Sequence, residues 1–153
     1  ENMMAGKVLV ETNAGSCFGA ALRGCDFIVK GNAGARTGID MKCGTSIIGG
    51  NAGAFTGFMM QRGRIIACGD VSANMGDSMY DGMIFVGGEV KSLGSDCVEG
   101  EMNEYEVRWL EQKLNNAEIN SKTPASKFKK YVAGKKLWNY DNLEPSERKG
   151  ILG

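Results

Sequence analysis

The sequence has no histidine, only two prolines and no long apolar run. Without histidine there can be no serine–histidine–acid triad, no histidine-ligated metal and no imidazole base that titrates near neutral pH. No stretch approaches the roughly 20 apolar residues of a membrane-spanning helix, and no charged-then-apolar signal segment opens the chain. We therefore expect a soluble, cytoplasmic protein whose catalysis, if any, uses other chemistry.

Charge and cysteine content also narrow the classes of partner. The 18 basic and 18 acidic residues give a formal net charge of zero, so the field of the whole molecule does not favour nucleic acid or an anionic membrane. The five cysteines include no C-x-x-C pair, and the chain has no N-x-[ST] acceptor. This pattern is typical of a reduced, intracellular protein. We expect no nucleic-acid and no membrane partner.

Glycine is abundant, and it marks a repeat of 19 residues. The four consecutive blocks are NAGSCFGAALRGCDFIVKG, NAGARTGIDMKCGTSIIGG, NAGAFTGFMMQRGRIIACG and DVSANMGDSMYDGMIFVGG. The glycines that occupy the seventh and last positions are predicted to be structural turn residues, and they are Gly19, Gly31, Gly38, Gly50, Gly57, Gly69, Gly76 and Gly88. The opening Asn or Asp is also predicted to form a corner, because these residues tolerate a left-handed backbone and bond to nearby backbone groups.

Short runs of branched residues lie between the corners and indicate strands. They cover residues 8–10, 27–29, 47–48, 65–66 and 84–86. A unit this short has no room for a crossover helix, so parallel strands can be joined only by the coil itself. The sequence therefore predicts an all-β fold over residues 1–100, a parallel β-helix of about 19 residues per coil, which we expect to be right-handed like most parallel crossovers.

Other repeat architectures fit less well. A leucine-rich repeat has a similar period, but the first hundred residues contain only Leu9, Leu22 and Leu93. Calcium-binding nonapeptide coils need a G-G-x-G-x-D motif that the chain lacks. Collagen needs glycine at every third residue and much proline.

Residues 101–117 are predicted to form a capping or docking helix. Apolar residues recur there at helical spacing, at Tyr105, Trp109, Leu110 and Leu114. Asn103 and Glu106 resemble a capping box with Asn in place of Ser or Thr. Because an unfinished coil exposes strand edges, we expect this helix to lid the last coil or to dock on a partner.

Residues 118–153 are predicted to be a linker followed by a basic, aromatic C-terminal arm. Six lysines and no acid lie between Lys122 and Tyr140, interleaved with aromatic residues. Such a segment is either a solvated tail or an extended arm that places its aromatics in another subunit, where aromatics are favoured anchors. If it is an arm, removing residues 121–153 weakens assembly without unfolding the coil.

No motif points to catalysis or to a bound cofactor. The chain has neither a P-loop nor a strand–G-x-G-x-x-G–helix unit, so we interpret the glycines as corners. Cys25 and Cys43 fall at neighbouring positions of successive blocks, but two thiols without other soft ligands make a poor metal site. The candidate carboxylates for acid–base chemistry are Asp26, Asp40, Asp77 and Asp81. Their spacing does not require any two of them to lie close together. We therefore predict no catalytic, cofactor-binding or metal-ligating residue in this chain.

The repeat blocks resemble a known glycine-repeat domain. The runs NAGSCFGAAL, NAGARTGIDM and NAGAFTGFMMQRGRIIACGDVSANMGDSMYDGMIFVGG are similar to the G-x-x-G-x-x-x-G coil at the C-terminal end of the glutamate synthase large subunit. They are similar also to free-standing subunits that carry this domain in split glutamate synthase-like systems. The resemblance covers roughly residues 5–115. It implies a right-handed β-helix that carries no catalytic residue and holds an amidotransferase domain against an FMN and iron–sulfur synthase domain.

The resemblance therefore implies a non-catalytic scaffold subunit. Its expected partners are amidotransferase-like and FMN-binding synthase-like subunits, with FMN and iron–sulfur clusters in those partners and no cofactor in this chain. Stand-alone coils of this kind also occur in systems that make N-methylglutamate. The β-helical subunit of formylmethanofuran dehydrogenase shares the same kind of repeat, so a molybdenum or tungsten complex is the alternative. A coil that turns over a substrate along one face is a weaker option, because the repeats offer no ladder of acids or bases.

Overall fold

The structure is a computed structural model that describes residues 7–16, 26–42 and 44–134. Five strands stack in parallel in chain order, and they are β1 (Lys7–Val10), β2 (Asp26–Val29), β3 (Thr45–Ile48), β4 (Arg64–Ala67) and β5 (Met83–Val86). Paired residues are one repeat apart, as in the Ile28, Ile47 and Ile66 column. The chain is a parallel β-solenoid of about four turns with about 19 residues per turn. The predicted fold class and all five predicted strands are confirmed.

Each strand places alternate side chains on the two faces of the sheet, as the two-residue period of a strand requires. The side chains that point into the coil include the column Val29, Ile48, Ala67 and Val86, all buried. The side chains that point outward form the column Ile28, Ile47, Ile66 and Phe85, also buried. Both faces of the sheet are therefore apolar, and the outer face needs a cover of its own.

The rest of each turn stacks in the same register. Isolated parallel bridges join Ala14 to Ala33, Ala33 to Ala52, Ala52 to Val71 and Val71 to Val90. A column of fully buried methionines fills the interior, at Met41, Met60 and Met79. Because equivalent side chains lie one above the other, the core of each turn packs mainly on the two neighbouring turns.

The outer face of the sheet is covered by helix α1 (Glu104–Asn116). The predicted capping box is present, since the Glu106 backbone N–H donates to Asn103 Oδ1 at 2.8 Å and the Asn103 N–H donates to Glu106 Oε1 at 3.1 Å. Leu110 and Leu114 belong to the same buried cluster as the outward column. The apolar stripe of this helix covers the long side of the coil rather than its last turn alone, and docking of the helix on a partner stays a prediction.

Polar contacts hold the C-terminal end of α1 against the turn that contains β2. Lys113 Nζ lies 3.0 Å from Asp26 Oδ2. Lys30 Nζ donates to the carbonyl oxygen of Ala117 and, at 2.9 Å, to that of Glu118. These carbonyls follow the end of the helix, where backbone acceptors lack helical partners and a cation is favourable.

The chain then returns to the sheet. After β6 (Cys97–Gly100) and a short 3₁₀ helix (Ala125–Lys127), strand β7 (Lys129–Ala133) pairs antiparallel with both β5 and β6. It lies between them, so the sheet order is β1-β2-β3-β4-β5-β7-β6.

The described part of the lysine-rich segment is therefore neither a solvated tail nor an arm into another subunit. Phe128 and Tyr131 are buried within this chain, and Lys130 Nζ lies 2.9 Å from Glu106 Oε2. Alternation along the strand explains the mixed composition, since Tyr131 points into the coil while Lys130 points to the helix side. The predicted arm beyond Gly134 lies outside the described residues.

Candidate functional site: the corners and outer surface of the coil

The seventh-position glycines form tight corners, as predicted. Gly38, Gly57 and Gly76 have φ of 71°, 75° and 70°, in the left-handed region that glycine enters without a Cβ penalty. A Cβ on Gly57 would also lie 2.8 Å from Ile84 Cδ1 of the next turn. Both backbone conformation and packing therefore select glycine at this position.

The glycines that close each block are selected by close approach rather than by backbone conformation. Those that the structure describes are Gly31, Gly50, Gly69 and Gly88. A Cβ on Gly50 would lie 2.2 Å from Asn32 Oδ1, and one on Gly88 would lie 2.3 Å from Asp70 Oδ1. Gly19, the remaining predicted turn glycine, lies outside the described residues.

The opening residues of the blocks form a side-chain ladder along the coil. The side-chain Oδ1 of Asn13 accepts from the Asn32 backbone N–H at 2.7 Å, and the same bond recurs from Asn32 to Asn51 at 2.7 Å. Asn51 then accepts from the Asp70 N–H and Asp70 from the Glu89 N–H, each at 2.8 Å. Each Asn or Asp thus bonds to the turn that follows it.

The opening Asn and Asp residues make the predicted side-chain-to-backbone bonds, but they do not adopt a left-handed backbone. The non-glycine residues with positive φ in the middle turns are instead Arg36, Asp40, Phe55, Met59, Asn74 and Ser78. They fall on the fifth and ninth positions of successive blocks, on either side of the corner glycine. The residue types at these positions did not predict a left-handed backbone, because large side chains such as Phe rarely adopt it.

A shallow open groove lies at the C-terminal end of the ladder. Its charged lining residues are Asp70, Glu89 and Lys91, and the others are Asn51, Ala52, Val71 and Ser72. Asp70 already accepts the ladder bond from Glu89. The groove combines exposed charges of both signs with buried alanine and valine, a composition suited to a polar contact surface.

Three of the four carboxylates considered for acid–base chemistry bond to other residues of the chain. Asp26 binds Lys113 as described above, and Asp40 Oδ1 accepts from Gln61 Nε2 at 2.7 Å. Asp77 Oδ1 accepts from the Ser95 N–H at 2.8 Å. Over residues 7–16, 26–42 and 44–134, no group of three or more Cys, Asp or Glu side chains is placed to hold a metal ion.

Two thiols lie in the interior. Cys68 and Cys97 are buried and free, and burial raises the pKa of each from 9.0 to about 11. At Cys68 a hydrogen bond with Ser121 opposes part of this rise. The Cys25 and Cys43 pair lies outside the described residues.

Exposed apolar side chains are spread over the surface of the coil and helix. They are Leu9, Met59, Tyr80, Leu93, Val98 and Tyr105. Phe55 and Phe58 add an edge-to-face pair at one corner, with ring centroids 5.7 Å apart. Leu9 in β1 and Val98 in β6 are notable because they lie on the two edge strands of the described sheet.

The fold and these surfaces define a parallel β-solenoid with a helix along one side and an antiparallel strand at one end. In the part of the chain that the structure describes, no helix is long and apolar enough to cross a membrane. Comparison with protein-family models, with curated proteins and with solved structures found no match. The class of fold is therefore established from the coil itself.

Proposed function

We propose that this chain is a non-catalytic scaffold subunit of a glutamate synthase-like complex of the N-methylglutamate-forming type. In this role it holds an ammonia-producing amidotransferase subunit next to an FMN-binding and iron–sulfur-containing synthase subunit. The observation that carries the proposal is the registered coil. The Asn and Gly residues that form its ladder and corners are the same residues that carry the resemblance to the glutamate synthase coil.

The construction of the coil suits a rigid spacer. Buried side-chain columns run through successive turns, and the Asn/Asp ladder adds one hydrogen bond per turn. With parallel strands about 4.8 Å apart, β1 and β5 are separated by about 19 Å. A scaffold of this kind fixes the distance between two bound subunits by its number of turns.

The surfaces open to partners differ in character. One long side of the sheet is occupied by α1, so partners would bind the remaining sides of the coil or the exposed side of the helix. The groove at Asp70, Glu89 and Lys91 offers charges. The corner at Phe55, Phe58 and Met59 offers half-exposed apolar groups. Two subunits of different surface chemistry could thus bind one coil at separate places.

The test is gentle purification of this chain with its bound proteins from its native source. Mass spectrometry should identify an amidotransferase-like and an FMN-binding subunit, and the absorbance spectrum should show flavin and iron–sulfur bands. The isolated chain should release no ammonia from glutamine. Molybdenum- or tungsten-containing partners would favour the formylmethanofuran dehydrogenase-like alternative, and glutaminase activity of the isolated chain would contradict the scaffold role.

Surface variants make this test specific to the coil. We expect Lys91→Glu in the groove or Met59→Glu at the corner to release a partner without lowering the unfolding temperature, because both side chains are exposed. Gln112→Glu on the exposed side of α1 is a matched control that adds the same acidic group. Loss of a partner in the control alone would indicate that this partner binds the helix instead of the coil.

A further inference from the structure

The two ends of the parallel sheet differ in whether a further described strand covers the edge. At one end the edge of β5 is covered by the antiparallel strand β7. At the other end, within the described residues, β1 pairs with β2 alone. An edge strand presents a row of unpaired backbone donors and acceptors to other chains. Strand β1 carries Val8, Leu9 and Val10 and contains no proline, so little in its sequence blocks further pairing.

Among the described residues, the apolar columns of the coil also end at β1. Leu9 continues the outward column that includes Ile28, yet Leu9 is 46% exposed whereas Ile28 is 2% exposed. Val8 and Val10 continue the inner columns and are only half-buried. An added strand at this edge would cover both the backbone groups and these side chains.

The edge has a self-complementary sequence. Residues 7–11 read Lys-Val-Leu-Val-Glu. If two copies pair antiparallel about Leu9, Val8 of each copy comes opposite Val10 of the other. Position 7, a lysine in the sequence, comes opposite Glu11 of the other copy, and the two-fold symmetry gives two such pairs. Opposite charges and branched apolar residues are both favourable cross-strand pairs.

This geometry also keeps the two cores aligned. A two-fold axis perpendicular to the sheet leaves the inner face of each coil on the same side, so Val8 and Val10 of both copies face one joined interior. Antiparallel addition to this sheet already occurs within the molecule, where β7 pairs with β5 through Ile84 and Tyr131.

We propose that the chain forms a head-to-head dimer in which β1 pairs antiparallel with β1 of a second copy about a two-fold axis at Leu9. The contact is isologous, the usual form of a symmetric dimer. It lies at an end of the coil, away from the groove and the corner considered for other subunits. The dimer is therefore independent of the proposed scaffold function, and either can fail without the other.

The first experiment measures the mass of the isolated full chain by sedimentation over a range of concentrations. We expect a monomer–dimer equilibrium, and Leu9→Glu should raise the dimer dissociation constant by about tenfold or more, because two carboxylates then meet at the axis. Val98→Glu on the opposite edge strand is the matched control and should leave the dimer intact. A monomer at all concentrations, or loss of the dimer in the control alone, would overturn the proposal.

A charge swap tests the register. Glu11→Lys places lysine opposite lysine and should weaken the dimer, whereas Lys7→Glu combined with Glu11→Lys should restore it. In addition, Leu9→Cys should form an intermolecular disulfide under mild oxidation, since directly opposed Cα atoms lie about 4.5 to 5.5 Å apart, within disulfide range. Val98→Cys and the unmodified chain are the controls. No rescue in the double variant and no Leu9→Cys disulfide would rule out this pairing.

Discussion

At the scale of single residues, the coil is specified by a few positions with separate physical reasons. The seventh-position glycine supplies a left-handed backbone, the closing glycine leaves room, and the opening Asn fills that room with a hydrogen bond to the next turn. The two last features depend on each other, because the absent Cβ of Gly50 is what admits Asn32 Oδ1. A substitution at any of these three positions therefore changes the contacts between two successive turns.

The corner glycine gives the first prediction. Gly57→Ala should lower the free energy of unfolding by about 1 to 2 kcal/mol, because alanine is strained at positive φ and its Cβ would press on Ile84. Urea unfolding followed by circular dichroism measures this. Gly15→Ala is the control, since a Cβ there meets nothing within 4 Å. Equal effects of the two substitutions would contradict the corner argument.

The ladder gives the second prediction. Asn51→Ala removes the acceptor for the Asp70 N–H and should cost about 0.5 to 1.5 kcal/mol, the usual net value of one hydrogen bond. Asn51→Asp keeps an acceptor oxygen and should cost less. Asn120→Ala, at an exposed position outside the repeat, should change stability little. The urea midpoint of unfolding should therefore be lowest for Asn51→Ala, higher for Asn51→Asp and highest for Asn120→Ala, and a different order would contradict the role of the ladder.

The buried thiols give the third prediction, on pH dependence. Because burial raises the folded pKa of Cys68 and Cys97 from 9.0 to about 11, the folded state disfavours the thiolate. Their contribution to stability is thus complete below about pH 9 and is lost as the pH rises towards 11. At pH 8 both should resist alkylation in the native protein and react in urea, as peptide mass spectrometry can show. Rapid native labelling would contradict their burial.

At the scale of elements, α1 and β7 cover the outer face of the coil and the edge of β5. The outer column from Ile28 to Phe85 would be an exposed apolar stripe without α1, and Trp109 packs on Phe85 with ring centroids 5.4 Å apart. Strand β7 covers the β5 edge and brings Tyr131 into the core. Lys130 and Glu106 join the two additions to each other.

The fourth prediction follows from β7. A chain that ends at residue 120 loses β7, Phe128 and Tyr131, so it should unfold at a much lower urea concentration and aggregate through the open β5 edge. This replaces the expectation that removing residues 121–153 leaves the coil intact. A chain that ends at residue 134 keeps every described element and is the control. Equal stability of the two truncated chains would show that β7 contributes little.

At the scale of the whole molecule, stability is shared between neighbouring turns. Strands β3 and β4 have a partner on both sides, whereas β1 has one described partner. The fifth prediction is that amide hydrogen exchange is slowest in β3 and β4 and fastest in β1 at low protein concentration. Slowing of exchange in β1 alone as the concentration rises would indicate the head-to-head dimer.

Much of the coil could be predicted from the sequence because its contacts are periodic. Equivalent residues 19 apart stack on each other, so one block contains nearly all the information about the next. The corner role of Gly57 followed directly. The role of Asn51 did not, because the pattern shows that Asn recurs but does not show whether it bends its own backbone or bonds to the next turn.

The sequence by itself determined the period, the five parallel strands, the corner glycines and the capped helix, because each depends on local conformation or on a repeated contact. Only the tertiary structure decided where α1 packs and that β7 inserts between β5 and β6. An amphipathic stripe specifies that a helix needs an apolar surface, but not which one. A five-residue strand such as β7 can pair with any open edge, and its place depends on competition among edges that exist only once the coil has formed.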